Sequence, residues 1–401
     1  MKIRVVGSTK PGYVLPVKDA LLFAGHEAGI CYMADDFDTL QAEPEIKTLR
    51  RVEGTVGSGH HSVSGHAQYN LVLEGLPKIV AMILNNEHDY ETSEKSARYT
   101  KMDANPEDIL DFEVEVPRPT GVEKAIYEKW IGKFTALIHA EYPQIDEKTA
   151  DKLAKENARY FLSVFTPATT MGHTLSLRQM NYIVGFCDDF VSVNEFADDP
   201  FLKRLCPWLK KLCGLLKEIA DVDGLRDNKG RQFSLFAKRL RQEEFGENYC
   251  TNYYGSFAQL AQAQRHRTLI YEMMVPQLDS CQFFVPPIIQ DAATRAEYLA
   301  DMDSLKANYP QGMLVHINER GTPENFILKC HERLCGAAQL EICHQTNATL
   351  QKYMSGVVRA GNSDVYKLLA AINGKTKCQL GYYRCDRPCP LGPQNCYTRK
   401  I

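Results

Sequence analysis

The chain has 401 residues, which is enough for two domains that each bury a hydrophobic core. Its composition, with 44% hydrophobic and 24% charged residues and a net charge of -3, excludes disordered and fibrous classes and indicates no nucleic-acid partner. The beginning of the chain lacks the apolar core of a signal peptide, and no later stretch is apolar enough for a membrane span, so we expect a cytoplasmic protein.

The first predicted element is a strand over residues 2–7, where apolar and β-branched residues lie between charged ones. A helix from Pro16 to Met33 follows, because alanines and leucines recur at helical spacing. After a glycine-rich stretch, alternation predicts a strand from His66 to Val72. The apolar run from Lys78 to Leu84 is compatible with a helix or a buried strand.

Further along the chain, amphipathic periodicity predicts helices over residues 122–141, 147–165, 177–191, 201–220 and 323–354. Asp198, Asp199 and Pro200 indicate a domain boundary. The order of elements before this boundary recurs after it, which predicts a cryptic duplication. We therefore divide the chain into a first half, a second half and a cysteine-rich tail, over residues 1–198, 199–374 and 375–401.

Two groups of residues in the first half form a recognisable pattern. Gly59, His60 and Ser62 are followed, about thirty residues later, by Glu94-x-Ser96-x-Arg98-Tyr99. This segment resembles the central block of the flavin-dependent thymidylate synthases, and Ala158-Arg159 resembles a helix of the same family. The family's Arg-His-Arg signature is absent here, because Asn86, Glu87 and His88 occupy its positions.

The second half contains the motifs that the first half lacks. Gln262 precedes an Arg-His-Arg run at residues 265–267, and Arg333 precedes the segment Ala338-Gln339-Leu340-Glu341-Ile342. Both features resemble the same family, whereas Glu-x-Ser-x-Arg is missing from this half. The resemblance therefore implies an α+β protein made of two tandem, diverged copies of the family's fold, each with an antiparallel sheet and packed long helices.

The retained motifs imply one composite site. In the family, nucleotide sites lie between chains of a homotetramer, so two copies per chain imply a homodimer that forms a pseudo-tetramer. The resemblance assigns a pyrimidine deoxynucleotide to seven residues, with Arg333 and Arg265 also catalytic: Gln262, Arg265, Arg333, Glu94, Ser96, Arg98 and Arg159. It assigns FAD to five: Arg265, His266, Arg267, His60 and Ser62.

The implied reaction is methylation of dUMP to dTMP, with carbon from methylenetetrahydrofolate and reducing power from NADPH through FAD. Arginine forks suit this chemistry because guanidinium groups donate paired hydrogen bonds to phosphate oxygens. Two alternatives remain open. One is a related flavoenzyme that acts on another pyrimidine nucleotide, and the other is a non-catalytic nucleotide-binding or scaffold protein.

The C-terminal tail contains a dense group of cysteines in a segment rich in glycine, proline and asparagine: Cys378, Cys385, Cys389 and Cys396. Four thiolates can hold zinc in a tetrahedron, although this spacing is not that of paired Cys-x2-Cys knuckles. Structural zinc, an iron–sulfur cluster and free or disulfide-forming thiols all fit the pattern.

Overall fold

The computed structural model describes residues 1–9, 15–87, 90–95, 121–227, 233–265, 267–381, 383, 385, 389 and 391–401. The chain divides into two compact units. The first unit comprises the described residues of 1–95 and 167–233, and the second comprises those of 121–166 and 234–401. Residues 121–166 thus belong with the C-terminal part of the chain, although they precede the last strand of the first unit.

A four-stranded antiparallel sheet forms the centre of the first unit, with the order β1-β2-β4-β3. Its buried face comes from alternation, since Tyr69, Leu71 and Leu73 of β2 are buried while the residues between them are partly exposed. The predicted strands over 2–7 and 66–72 are confirmed with small shifts of their ends. The strands are β1 (Lys2–Ser8), β2 (Gln68–Leu76), β3 (Tyr90–Glu94) and β4 (Thr169–Ser176).

The helices of the first unit lie between and after these strands in the sequence. The run from Lys78 that periodicity left undecided is a helix; it begins after Pro77, whose fixed φ suits a helix start. Asp199 caps the last helix, because its carboxylate accepts hydrogen bonds from the backbone N–H groups of Phe201 and Leu202. The helices are α1 (Val17–Tyr32), α2 (Phe37–Ala42), α3 (Glu45–Gly57), α4 (Lys78–Asn86), α7 (Leu177–Asn194) and α8 (Pro200–Ile219).

The second unit contains another four-stranded antiparallel sheet, with the order β5-β6-β8-β7. Val315 and Ile317 of the central strand β8 are completely buried. Mixed helix and antiparallel sheet is therefore confirmed as the fold class. The strands are β5 (Glu244–Phe245), β6 (Tyr249–Ser256), β7 (Ile270–Met274) and β8 (Leu314–Gly321).

The helices of the second unit include two that come from the middle of the chain. Trp130 of α5 stacks on Phe161 and meets the ring of Tyr298 of α10 edge-on, with ring centroids 5.5 and 5.0 Å apart. These contacts anchor residues 121–161 within the unit. The helices are α5 (Gly121–Glu141), α6 (Glu147–Ala158), α9 (Phe257–Ala263), α10 (Ala292–Ser304), α11 (Pro323–Arg333), α12 (Leu340–Arg359) and α13 (Ser363–Ala370).

Two sequence predictions in the second unit are wrong in their extent. The helix predicted over 147–165 ends at Ala158, and a short 3-10 turn, Arg159–Phe161, follows it. The helix predicted over 323–354 is interrupted between Arg333 and Leu340. Periodicity did not reveal this interruption because both helices have apolar faces, whereas Gly336 and tertiary hydrogen bonds to the intervening backbone favour a loop.

Among the described residues, no helix is both long and apolar enough to cross a membrane.

Candidate functional site

The 3-10 turn after α6 places Arg159 and Tyr160 inside the second unit. The backbone after the turn pairs with residues that precede β8: Gly312 N–H donates to the carbonyl of Tyr160 at 2.8 Å, and Gln311 N–H donates to that of Leu162 at 2.8 Å. Both Arg159 and Tyr160 are buried, with 5% and 1% of their surface exposed. Tertiary pairing therefore fixes the position of Arg159, whose side-chain partner Gln339 lies 180 residues further along the chain.

Gln339 lies between Arg159 and α9. Its side-chain oxygen accepts hydrogen bonds from Arg159 Nη2 and from Gln262 Nε2, and its own Nε2 donates to the hydroxyl of Tyr160. Gln339 is only 2% exposed. A single buried amide thus connects a residue of the first motif group, Arg159, with a residue of the second, Gln262.

Glu341 supports this arrangement from the start of α12. Its carboxylate accepts hydrogen bonds from Tyr160 Oη at 2.8 Å, from Ser256 N at 2.8 Å and from Ser256 Oγ at 2.6 Å. Burial raises the pKa of Glu341, although the hydrogen bonds from Ser256 and Tyr160 act in the opposite direction. Ser256 also caps α9, so this carboxylate connects the helix that carries Gln262 with Tyr160.

Arg333 completes the group at the end of α11. Its Nη2 donates to the backbone carbonyl of Gln262 at 3.1 Å. The structure therefore brings together three of the residues predicted to bind a nucleotide, namely Arg159, Gln262 and Arg333. Within the described residues, the buried side-chain oxygen of Gln262 has no hydrogen-bond partner, which leaves an acceptor for a ligand donor at this site.

The other predicted residues lie in several places. Arg265 and Arg267 directly follow α9 in the second unit and are half-buried, whereas His266 lies outside the described residues. In the first unit, Glu94 accepts hydrogen bonds from Lys78 Nζ at 2.6 Å and from Asn85 Nδ2 at 3.1 Å.

Four further residues of the first half were predicted to belong to the site, namely His60, Ser62, Ser96 and Arg98. His60 and Ser62 are exposed near the glycine-rich turn, and the ring of His60 meets that of Tyr32 edge-on. Ser96 and Arg98, predicted to bind the nucleotide, lie outside the described residues.

The tail cysteines do not form one group of four. Cys396 is buried with its sulfur 3.6 Å from that of Cys343 on α12, and the interaction with Cys396 lowers the pKa of Cys343. By contrast, burial raises the pKa of Cys389, and the neighbouring thiols of Cys335 and Cys378 raise it further. In the described parts of the chain, no three histidine, cysteine or carboxylate side chains are arranged to hold a metal ion.

Sequence reasoning did not identify every residue around Arg159, Gln262 and Arg333. Tyr160 and Ser256 were not predicted to belong to the site, because a tyrosine after an arginine and a serine before a helix do not by themselves indicate a binding site. Gln339 and Glu341 were recognised as part of a motif, but only the structure shows what they contact.

Comparison with known proteins supports the family resemblance. Residues 19–187 match the sequence model of a family described as thymidylate synthase complementing protein. None of the curated proteins matches the chain.

Two crystal structures of the flavin-dependent thymidylate synthase from Helicobacter pylori, both with FAD and dUMP, are similar to the chain at a low level. They are 15% and 14% identical to it, with TM-scores of 0.30 and 0.31, and each match covers 55% of this chain and 100% of that chain. The sequence match over residues 19–187 thus confirms the resemblance to this family for that part of the chain.

Proposed function

We propose that the chain is an FAD-dependent enzyme that methylates dUMP to dTMP with methylenetetrahydrofolate and NADPH. The observation that carries the proposal is that the buried amide of Gln339 connects Arg159 with Gln262, while Arg333 donates to the backbone carbonyl of Gln262. These residues come from different motifs of the family and are far apart in the sequence. Their convergence supports a composite nucleotide site rather than an ordinary surface charge cluster.

Each of these side chains has a distinct task in the proposed site. Arg159, together with Ser96 and Arg98, binds the phosphate, because guanidinium groups match phosphate oxygens in geometry and charge. Arg333 and Arg265 hold the pyrimidine carbonyls and stabilise the negative charge on them that accompanies activation of C5 as a nucleophile. The amide of Gln262, with its available acceptor, suits a donor on the base edge.

The residues assigned to FAD fit an anionic cofactor. Arg265 and Arg267 are half-buried cations after α9, and His266 lies between them in the sequence. His60 and Ser62 are exposed donors in the first half. When bound, the flavin supplies the hydride that completes the methyl group, while the protein binds and orients the nucleotide.

The proposal includes a tandem duplication. Both sheets are antiparallel and have the same strand order when numbered from their first strand, and a helix follows the second strand in each. This shared order supports two copies of one fold, with the halves divided near residue 199. Two such chains form the proposed homodimeric pseudo-tetramer, in which half of the sites keep the required residues.

Purified protein distinguishes the functional alternatives. The proposal predicts that it binds FAD, with the visible absorbance of a flavin, and that it releases tritium from C5-labelled dUMP when folate and NADPH are present. Flavin binding without tritium release would indicate a flavoenzyme for another pyrimidine nucleotide. Protein that cannot be loaded with FAD would contradict the enzyme and indicate a nucleotide-binding or scaffold protein.

A further inference from the structure

We propose that Gln339 is a positioning residue of the nucleotide site and that Arg399, in the C-terminal tail, holds the loop that carries it. The inference rests on the proposed function, because it assigns these roles within the same site. It gives the tail, which the family resemblance does not require, a part in nucleotide binding.

Gln339 is suited to set the spacing of two ligand-binding groups. A side-chain amide oxygen has two lone pairs, and here one donor comes from Arg159 and the other from Gln262. Both neighbours therefore depend on the location of one atom. Because Gln339 is buried, water is a poor substitute for either hydrogen bond.

The orientation of the Gln339 amide is also determined. Its Nε2 donates to Tyr160 Oη, and that hydroxyl in turn donates to Glu341 at 2.8 Å. Tyr160 remains neutral, because burial and the nearby charge of Glu341 raise its pKa well above the usual value. A flipped amide would place an N–H group against the guanidinium of Arg159, so the network favours one orientation.

Arg399 holds the loop between α11 and α12. This residue is buried, and its guanidinium donates to the carbonyl of Gly336 at 3.1 Å and to that of Ala338 at 2.6 Å. A second tail contact joins Lys377 N–H to the carbonyl of Leu334 at 3.0 Å. These bonds satisfy carbonyls that lie outside both helices and fix the backbone immediately before Gln339.

Gln339→Met tests the first role, because methionine retains much of the volume but none of the three side-chain hydrogen bonds. Titration of FAD-loaded protein with dUMP should show about tenfold weaker affinity, corresponding to a lost charge-assisted hydrogen bond. FAD affinity should not change. Gln345→Ala is the matched control, because the side chain of that glutamine on α12 donates to Thr349 and lies in the same part of the chain.

Arg399→Lys and Arg399→Ala test the second role. Lysine keeps the charge but not the planar fork, so we expect dUMP affinity to fall severalfold for lysine and further for alanine. Lys400→Ala is the control, because Lys400 forms an exposed ion pair with Glu141. Thermal unfolding of each variant identifies the temperature at which all of the proteins are folded, and the titrations are performed below it.

The outcomes separate this inference from the proposed function. Weaker dUMP affinity with unchanged FAD affinity in Gln339→Met and Arg399→Lys supports the inference. If wild-type protein binds dUMP and either variant binds it equally well, the role of that residue is refuted while the proposed function stands. A wild-type protein that binds FAD but no dUMP would overturn both.

Discussion

Replacement of Arg159 by alanine is expected to weaken dUMP binding strongly. The side chain is 5% exposed, and its guanidinium already forms a hydrogen bond with Gln339, so it is held in place before the ligand arrives. Preorganisation of this kind means that little side-chain entropy is lost on binding. The alanine variant removes both the charge and the donors that the phosphate would contact.

The magnitude follows from the type of interaction. A hydrogen bond to a charged group contributes about 1.5–3 kcal/mol, which corresponds to roughly 10- to 150-fold in the dissociation constant. The value is expected toward the upper end of this range because the guanidinium is buried, where water screens its charge only weakly. Gln339 retains its hydrogen bond from Gln262, so the fold should persist.

Isothermal titration calorimetry of FAD-loaded wild-type and variant proteins with dUMP measures the effect. Arg295→Ala is the matched control, because this arginine is exposed on α10 of the same unit and should leave affinity unchanged. If Arg159→Ala binds dUMP as tightly as wild-type protein while folded, Arg159 does not contact the nucleotide, and the assignment of the phosphate site is wrong.

Three further predictions concern stability, each measured by chemical or thermal unfolding. Gly185→Ala should destabilise the protein by about 1–3 kcal/mol, because the added methyl group collides with a backbone carbonyl of a neighbouring loop. The control Gly214→Ala places its methyl group in open space and should be neutral or stabilising. Equal effects of the two substitutions would contradict this. Lys329→Met should cost about 3–5 kcal/mol, because it removes the ion-pair partner of the fully buried Glu319, and a loss below 1 kcal/mol would refute that view. A hydrogen bond from Arg51 lowers the pKa of Glu43 from 4.5 to about 2. The contribution of the Glu43 carboxylate to the free energy of unfolding is therefore present above pH 4.5 and is lost as the pH falls toward 2. Glu43→Gln should make the free energy of unfolding depend less on pH in that window, and an unchanged slope would contradict this role of Glu43.

The sequence predicts much of this fold because its helices and strands are strongly patterned. The helix over 201–220 and the strand at 2–7 follow directly from apolar periodicity. Where periodicity failed, tertiary contacts decided the conformation. The interruption before Leu340 depends on hydrogen bonds from Arg399, sixty residues away along the chain, which no local pattern reports.

Several members of the candidate site could be predicted from the sequence, but their contacts could not. Motifs identified Arg159, Gln262 and Arg333 as separate fragments of one family pattern, without showing whether one chain brings them together. The structure connects Arg159 with Gln262 through Gln339, which the sequence marked only as part of a motif, and Arg333 bonds to the backbone of Gln262 in the same unit. Tyr160 could not be predicted as a partner of Gln339 and Glu341, because these residues are about 180 positions apart in the sequence and come together only in the folded chain.

The most direct test of the central claim is a mixing experiment with Arg159→Ala and Arg333→Ala proteins, each inactive alone in the dUMP tritium-release assay. Because both arginines are linked to Gln262 within one unit of one chain, Arg159 through Gln339 and Arg333 directly, a site with an intact pair cannot form from the two variants. The account predicts that co-expressed or refolded mixtures remain inactive, while wild-type protein treated in the same way retains activity. Recovery of about a quarter or more of wild-type activity in the mixture would show that the two arginines come from different chains, and would contradict the account.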